Sequence, residues 1–222
     1  MLIPFKKYTV DSLSTCTRLD TAKRRSHIDV LVIDDSSFPP KESLERNSFK
    51  ITQWPDIEDL KTVEHYDLIL CDIEGVGKKI NPKDQGGAVI KQIKKLYPNK
   101  YIIAYSARTF GTQFNEFFTY ADEVVSKDKD VSDWCDTLDS AMEEIVNPQK
   151  FWLRLRKFLS DSEIGTKDLL LLEDRYVRSM LDRRNCFEGF DLKRLPIDAS
   201  SIVNGMIASA LFKLVCDKII GF

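Results

Sequence analysis

From Asp29 onward, short apolar runs alternate with longer amphipathic ones. Asp29 to Ile33 is a continuous, largely β-branched run, the pattern of a strand covered on both faces. Phe49 to Trp54 alternates as an edge strand does. Asp67 to Cys71 and Tyr101 to Tyr105 are two further buried runs, and Glu123 to Val125 is a short fifth. Helical spacing fills the intervals. Residues 40–47 follow a Pro-Pro pair, which suits a helix start. Residues 56–65 carry Ile57, Leu60 and Val63, and residues 86–97 place Val89, Ile90, Ile93 and Leu96 on one face. Residues 110–120 carry Phe110, Phe114, Phe117 and Phe118, and residues 131–146 carry Val131, Trp134, Leu138, Ala141 and Ile145. Five strand-helix units in succession predict an α/β domain over residues 28–147, a parallel sheet with helices on both faces.

Flanking segments follow other patterns. Residues 1–27 are polar and weakly patterned and read as an arm; Lys23, Arg24 and Arg25 within it are expected to form a solvated surface. After Asn147-Pro148 the strands stop, and residues 148–222 read as a helical tail, with helices over 149–160, 163–184 and 198–220. The last is the most apolar. Ile202, Val203, Met206, Ile207, Ala210, Leu211, Leu214 and Val215 form a broad stripe, and Ser201, Gly205 and Ser209 stand four apart, a spacing that permits close helix approach. The stripe either packs within the chain or forms a homodimer interface. Lys213, Asp217 and Lys218 argue against membrane contact. Arg175, Arg178, Arg183 and Arg184 are interspersed with Glu173, Asp174 and Asp182, as on a solvated face.

Composition narrows the class. Of 222 residues, 43% are hydrophobic and 31% charged, a globular composition; the formal net charge of -2 gives no reason to expect nucleic acid or membrane as partner. Five cysteines without a CxxC pair, alongside two histidines, suit thiols in a reducing cytoplasm rather than a disulfide or zinc framework. The start of the chain turns polar too soon for a signal peptide, and no segment has the charge-free apolar run of a spanning helix.

In open parallel sheets, sites form beyond the carboxyl ends of the strands. The first strand delivers Asp34 and Asp35 there, the third Asp72, the fourth Ser106 followed by the small Ala107, and the fifth Lys127. A carboxylate can attack a phosphoryl group to form an acyl phosphate. Two carboxylates about 5 Å apart repel by about 3 kcal/mol at an effective dielectric of about 20, so such a cluster needs a cation, shifted protonation or solvent. Magnesium suits it: a hard ion with oxygen ligands, able to bridge carboxylates to phosphate. Lys127 would neutralise a phosphoryl oxygen, and Ser106 would donate to another. Taken singly, each residue has a plain structural reading: a cap or turn for Asp35 and Ser106, a surface charge for Lys127. Their conjunction at four strand ends points to chemistry.

The segments VLVIDDS (30–36), DLILCDIEG (67–75), IIAYSA (102–107) and YADEVVSKD (120–128) resemble the receiver domains of two-component response regulators over about residues 28–146. The resemblance implies a flavodoxin-like fold. It also implies Asp72 as phosphoacceptor, Asp34, Asp35 and Asp72 as magnesium-site acids, and Glu74 as donor of a backbone carbonyl to the metal. Ser106 and Lys127 would be the phosphoryl-binding hydroxyl and lysine. A histidine kinase or phosphotransfer protein would be the phosphoryl donor, and the chain would be a switch rather than an enzyme. Three features depart from the family. Asp128 stands where a proline usually follows the lysine, Val124 stands in place of an aromatic, and the segment Ile73 to Gln85 is long and carries Lys78, Lys79 and Lys83. That segment is expected either to fold over the phosphate or select the donor, or else to be a solvated loop. A pseudo-receiver, acting as a scaffold without phosphotransfer, is the alternative. A phosphohydrolase of the haloacid-dehalogenase type would need an Asp-x-Asp pair where Asp34 and Asp35 are adjacent.

Overall fold

The computed structural model describes residues 8–16, 20–106 and 115–216. They group into two units, Asp20–Ile145 and a second formed by the stretch up to Leu19 together with Val146 onward. The residues read as an arm are thus divided between the two.

The first unit is built on a five-stranded parallel sheet: β1 (Asp29–Ile33), β2 (Lys50–Trp54), β3 (Leu68–Asp72), β4 (Tyr101–Ser106) and β5 (Glu123–Ser126), in the order β2-β1-β3-β4-β5. This is the flavodoxin-like order, whose reversal point lies between β1 and β3. β2 is an edge strand, as its alternation predicts. β1, β3 and β4 are central, and their residues from Val30 to Ile33, Leu68 to Cys71 and Ile102 to Tyr105 are fully buried. Alternate residues serve the two faces. Leu31, Ile33, Ile69, Cys71, Ile102 and Ala104 join one core with Val89, Ile90 and Ile93 of α3 (Gln85–Leu96) and Phe117 of α4 (Asn115–Phe118). On the other face Tyr105 meets Phe38 and Trp134, the latter from α5 (Val131–Val146).

Most expected elements of this unit appear with small shifts of boundary. α2 spans Lys41–Arg46, and the stretch expected at 56–65 is a 3-10 helix over Leu60–His65, opened by Asp59, whose side chain accepts from the Lys61 N–H. Phe110 and Phe114, like Ala107, lie outside the described residues. One helix was not expected: α1 (Thr21–His27), capped by Asp20, whose carboxylate accepts from the Lys23 N–H. Its basic residues are not a simple solvated patch. Arg24 is buried, and Arg25 pairs with Asp139 of α5 at 2.6 Å and lies over the Phe49 ring.

The second unit is helical. A 3-10 helix (Val10–Thr15) packs with α6 (Pro148–Asp161) and α7 (Thr166–Asp182), and α8 (Ile197–Ala208) and α9 (Ala210–Cys216) complete it. Asn147 caps α6 through Lys150 N–H, with proline in the first turn, where its missing N–H costs nothing. Trp152 stacks on Tyr176 at 4.9 Å in the centre of the unit. Of the apolar stripe of the last helix, Ile202, Val203, Met206 and Leu211 belong to the core of this unit, and Ala210 and Leu214 are buried as well. These residues pack within the chain, the first of the two arrangements the stripe allows. The helix breaks at Ser209, whose extended backbone separates α8 from α9, and residues 217–222, with Asp217 and Lys218, lie outside the described part. Among the described residues no single helix is long and apolar enough to cross a membrane; α8 and α9 reach that length only as a pair bent by 56°.

Candidate functional site

The register brings the acids together. Ile33 pairs with Cys71, so the next residues, Asp34 and Asp72, emerge side by side; Asp72 in turn pairs with Tyr105. Asp34, Asp72 and Tyr105 therefore form one row across three strand ends. Asp35 follows on the chain, and one ligand atom each from Asp34, Asp35 and Asp72 lie within 4.8 Å of one another.

Two of these carboxylates are buried, Asp34 at 2% and Asp72 at 6% exposure, which is costly unless charge and hydrogen bonds compensate. Lys127, just beyond β5, supplies the compensation. Its Nζ lies 2.6 Å from Asp72 Oδ2 and 2.9 Å from Asp34 Oδ2. Burial pushes the Asp72 carboxyl above its ordinary value; Lys127 opposes this, and the Asp34 charge adds to it. For Lys127, burial favours the neutral amine, but the hydrogen bonds and charges of Asp72 and Asp34 outweigh it and raise its affinity for the proton. The Lys127 N–H also donates to Ser106 O at 3.0 Å, which ties the end of β5 to that of β4.

Asp34 is held on both oxygens. Oδ1 accepts from Ser36 N–H at 2.9 Å, and Oδ2 accepts from Tyr105 Oη at 2.7 Å as well as from Lys127. Asp35 is exposed, with Lys78 Nζ at 3.8 Å. Glu74 offers its backbone N–H to Asp72 Oδ1, a long contact of 3.4 Å. Ser106 lies buried at the end of β4, one residue past the partner of Asp72.

The segment from Ile73 to Gln85 is built rather than loose. Ile73 and Val76 are buried in the core, Gly75 N–H donates to Gln85 Oε1 at 2.7 Å, and Gly77 N–H donates to Asp56 Oδ1. Gly75 has φ +92°, and a Cβ there would fall 2.4 Å from Asp35 Oδ2. Its three lysines diverge: Lys78 faces Asp35, Lys79 pairs with Glu58, and Lys83 is exposed.

Sequence reasoning about strand ends thus locates Asp34, Asp35, Asp72 and Lys127, which the fold gathers, and Ser106 at the neighbouring strand end. It misses Tyr105, counted there as a strand residue. The signal lay in the register: aligning the last apolar residues of β1, β3 and β4 puts a phenol in the row of Asp34 and Asp72.

The three carboxylates form a hard oxygen donor set that could hold a metal ion, and oxygen donors of this kind are those that magnesium takes. No family model and no curated protein matches the chain. Among solved structures, the chain is similar to a CheY-like response regulator receiver domain protein from Methanospirillum hungatei JF-1, at 18% identity over 54% of this chain and 97% of that one, with TM-score 0.46. It is also similar to a response regulator from Thermotoga maritima (17% identity, 52% and 97% covered, TM-score 0.42) and to the receiver domain of NtrX from Brucella abortus (18%, 52% and 98%, 0.44). These neighbours span about half the chain and leave the helical unit outside. The first unit is a five-stranded parallel sheet in the flavodoxin-like strand order, with an acidic cluster at the carboxyl ends of its strands.

Proposed function

We propose that the chain is a signalling switch that accepts a phosphoryl group on Asp72 and relays the change to its helical unit. The observation that carries this reading is the Lys127 ammonium set between Asp34 and Asp72, with Asp35 alongside. An Asp72 oxygen would attack the phosphorus of a phosphohistidine on a histidine kinase or phosphotransfer protein. The P–O bond forms as the P–N bond breaks, and its electron pair leaves with the imidazole. Asp34, Asp35 and Asp72, with the Glu74 backbone carbonyl, would hold magnesium, which when bound offsets charge between the carboxylates and the incoming phosphoryl oxygens. Lys127 would exchange its contact with Asp72 for one with a phosphoryl oxygen, and Ser106 would donate to another.

The modification adds about 1.5 to 2 negative charges at this edge, enough to draw Lys127 and Ser106 inward and shift the segments that carry them. The protein would be a switch that assists its own phosphorylation rather than an enzyme with a separate substrate. The assembled acids and lysine support this over a scaffold that has abandoned phosphotransfer. Labelling with radioactive acetyl phosphate and magnesium tests it: the parent chain should incorporate label, Asp72→Asn should not, and equal labelling of the two removes Asp72 from the role.

A further inference from the structure

We propose that Tyr105 is a positioning residue of the acidic site, its phenol fixing Asp34 in the orientation that lets it share a divalent cation with Asp35 and Asp72. The inference rests on the reading of that site as a magnesium site.

Tyr105 is fully buried near the end of β4, in a strand whose preceding residues Ile102, Ile103 and Ala104 are apolar. A phenol there costs more than a phenyl ring of the same size unless its hydroxyl finds a partner. The partner is Asp34 Oδ2 at 2.7 Å. The ring cannot turn aside easily, because it is gripped edge-on by Phe38 (centroids 6.0 Å, interplanar 73°) and by Trp134 (6.0 Å, 89°), which also meet each other at 5.2 Å. Tyr105 is thus a rigid donor, held by packing on one side and aimed at a carboxylate on the other.

The contrast with Lys127 gives this donor its purpose. Lys127 reaches the same Oδ2 atom through a flexible four-carbon stem, with its side chain 22% exposed. In phosphotransfer the ammonium is needed at a phosphoryl oxygen and must loosen its hold on the carboxylates. Were it the sole partner of Oδ2, Asp34 would be freed just as its geometry matters most. Tyr105 keeps that oxygen in place while Lys127 moves, and the Ser36 N–H holds Oδ1. Donors outside the ligand shell that orient a ligating carboxylate are worth roughly tenfold to a hundredfold in metal affinity.

Tyr105→Phe in the full chain is the test, since it keeps the ring between Phe38 and Trp134 and deletes only the hydroxyl. Magnesium affinity is measured by titration calorimetry, and the melting temperature in parallel without metal. We expect magnesium to bind about tenfold more weakly, with melting within a few degrees of the parent. A variant that melts lower but binds magnesium as the parent does would make Tyr105 a packing residue and overturn the proposal. If Tyr105→Phe does not fold, Phe38→Leu loosens the ring while leaving the phenol, and it must weaken magnesium binding in its place; unchanged affinity again overturns the proposal. A parent chain that takes up no magnesium overturns the reading of the site itself, and this shows before any variant is compared.

Discussion

Lys127 Nζ lies 2.6 Å from Asp72 Oδ2, a charged contact at the edge of the sheet in which the carboxylate is the more deeply buried partner. Removing one partner of such a pair strands the other. Lys127→Met would leave Asp34 and Asp72 facing each other without a cation. The loss, measured by urea unfolding at neutral pH, should be about 2 kcal/mol, below the range for fully buried pairs because Lys127 is reached by solvent. Magnesium, if it takes up the same charge, should return part of that loss to the variant and stabilise the parent less.

The raised pKa of Asp72 has its own consequence for stability. Its folded-state value lies above the unfolded one, so ionised Asp72 is a cost to the fold. The cost is absent at acid pH, where the group is protonated in both states, develops as pH rises through the unfolded and then the folded value, and is constant above that. Asp72→Asn should therefore match the parent in acid and become the more stable of the two toward neutrality, while losing all phosphoryl labelling. Lys127 behaves oppositely. Its pKa is raised, so its contribution is present below the ordinary lysine value and lost as pH climbs through the higher folded one. Urea midpoints collected from acid to alkaline pH read both limbs, and an Asp72→Asn curve parallel to the parent throughout would contradict the first.

Much of this site was legible because buried parallel strands write themselves as apolar runs and deliver the next residues of the chain to one edge. Asp34, Asp72 and Lys127 each stand just past such a run, so strand ends alone predict their meeting. Tyr105 was hidden because its hydroxyl is the one polar atom in a side chain that otherwise suits a buried strand; only the register shows which row it joins. Helix α1 was hidden for a different reason. Its seven residues bury Arg24 and anchor through Arg25 to Asp139, so no apolar stripe marks it. The break at Ser209 was invisible to periodicity, since apolar residues continue on both sides of it.

The backbone after Asp72 allows no side chain at Gly86. A Cβ there would fall 1.8 Å from the Asp72 carbonyl oxygen, a clash with backbone that no rotamer relieves. Gly86 N–H also donates to Ile73 O at 3.1 Å, which seats α3 against the end of β3. Gly86→Ala should cost about 3 kcal/mol, the upper part of the range for overpacking, and should displace Asp72 from Lys127. Gly189 provides the comparison: its φ is +71° but nothing lies within 4 Å of a Cβ, so Gly189→Ala should cost only about 1 kcal/mol. Denaturant unfolding of the two variants side by side gives the difference, and similar losses would deny the close approach.

In the helical unit, Leu211 and Met206 are 1% exposed and belong to the same core as Trp152 and Tyr176. A stripe spent on that core and a stripe spent on a partner chain respond differently to a charge. Leu211→Asp buries an unpaired carboxylate within the unit and should lower its stability by more than about 3 kcal/mol at any protein concentration. Were Leu211 part of a dimer face, the same change would instead separate chains that remain folded, and the parent's melting temperature would rise with concentration. Melting the parent over a hundredfold range of concentration, with sedimentation of Leu211→Asp alongside, separates the two. The burial of Leu211 within its own unit predicts a parent melting temperature that does not depend on concentration through this stripe, and a variant that is unfolded in its helical part rather than dissociated.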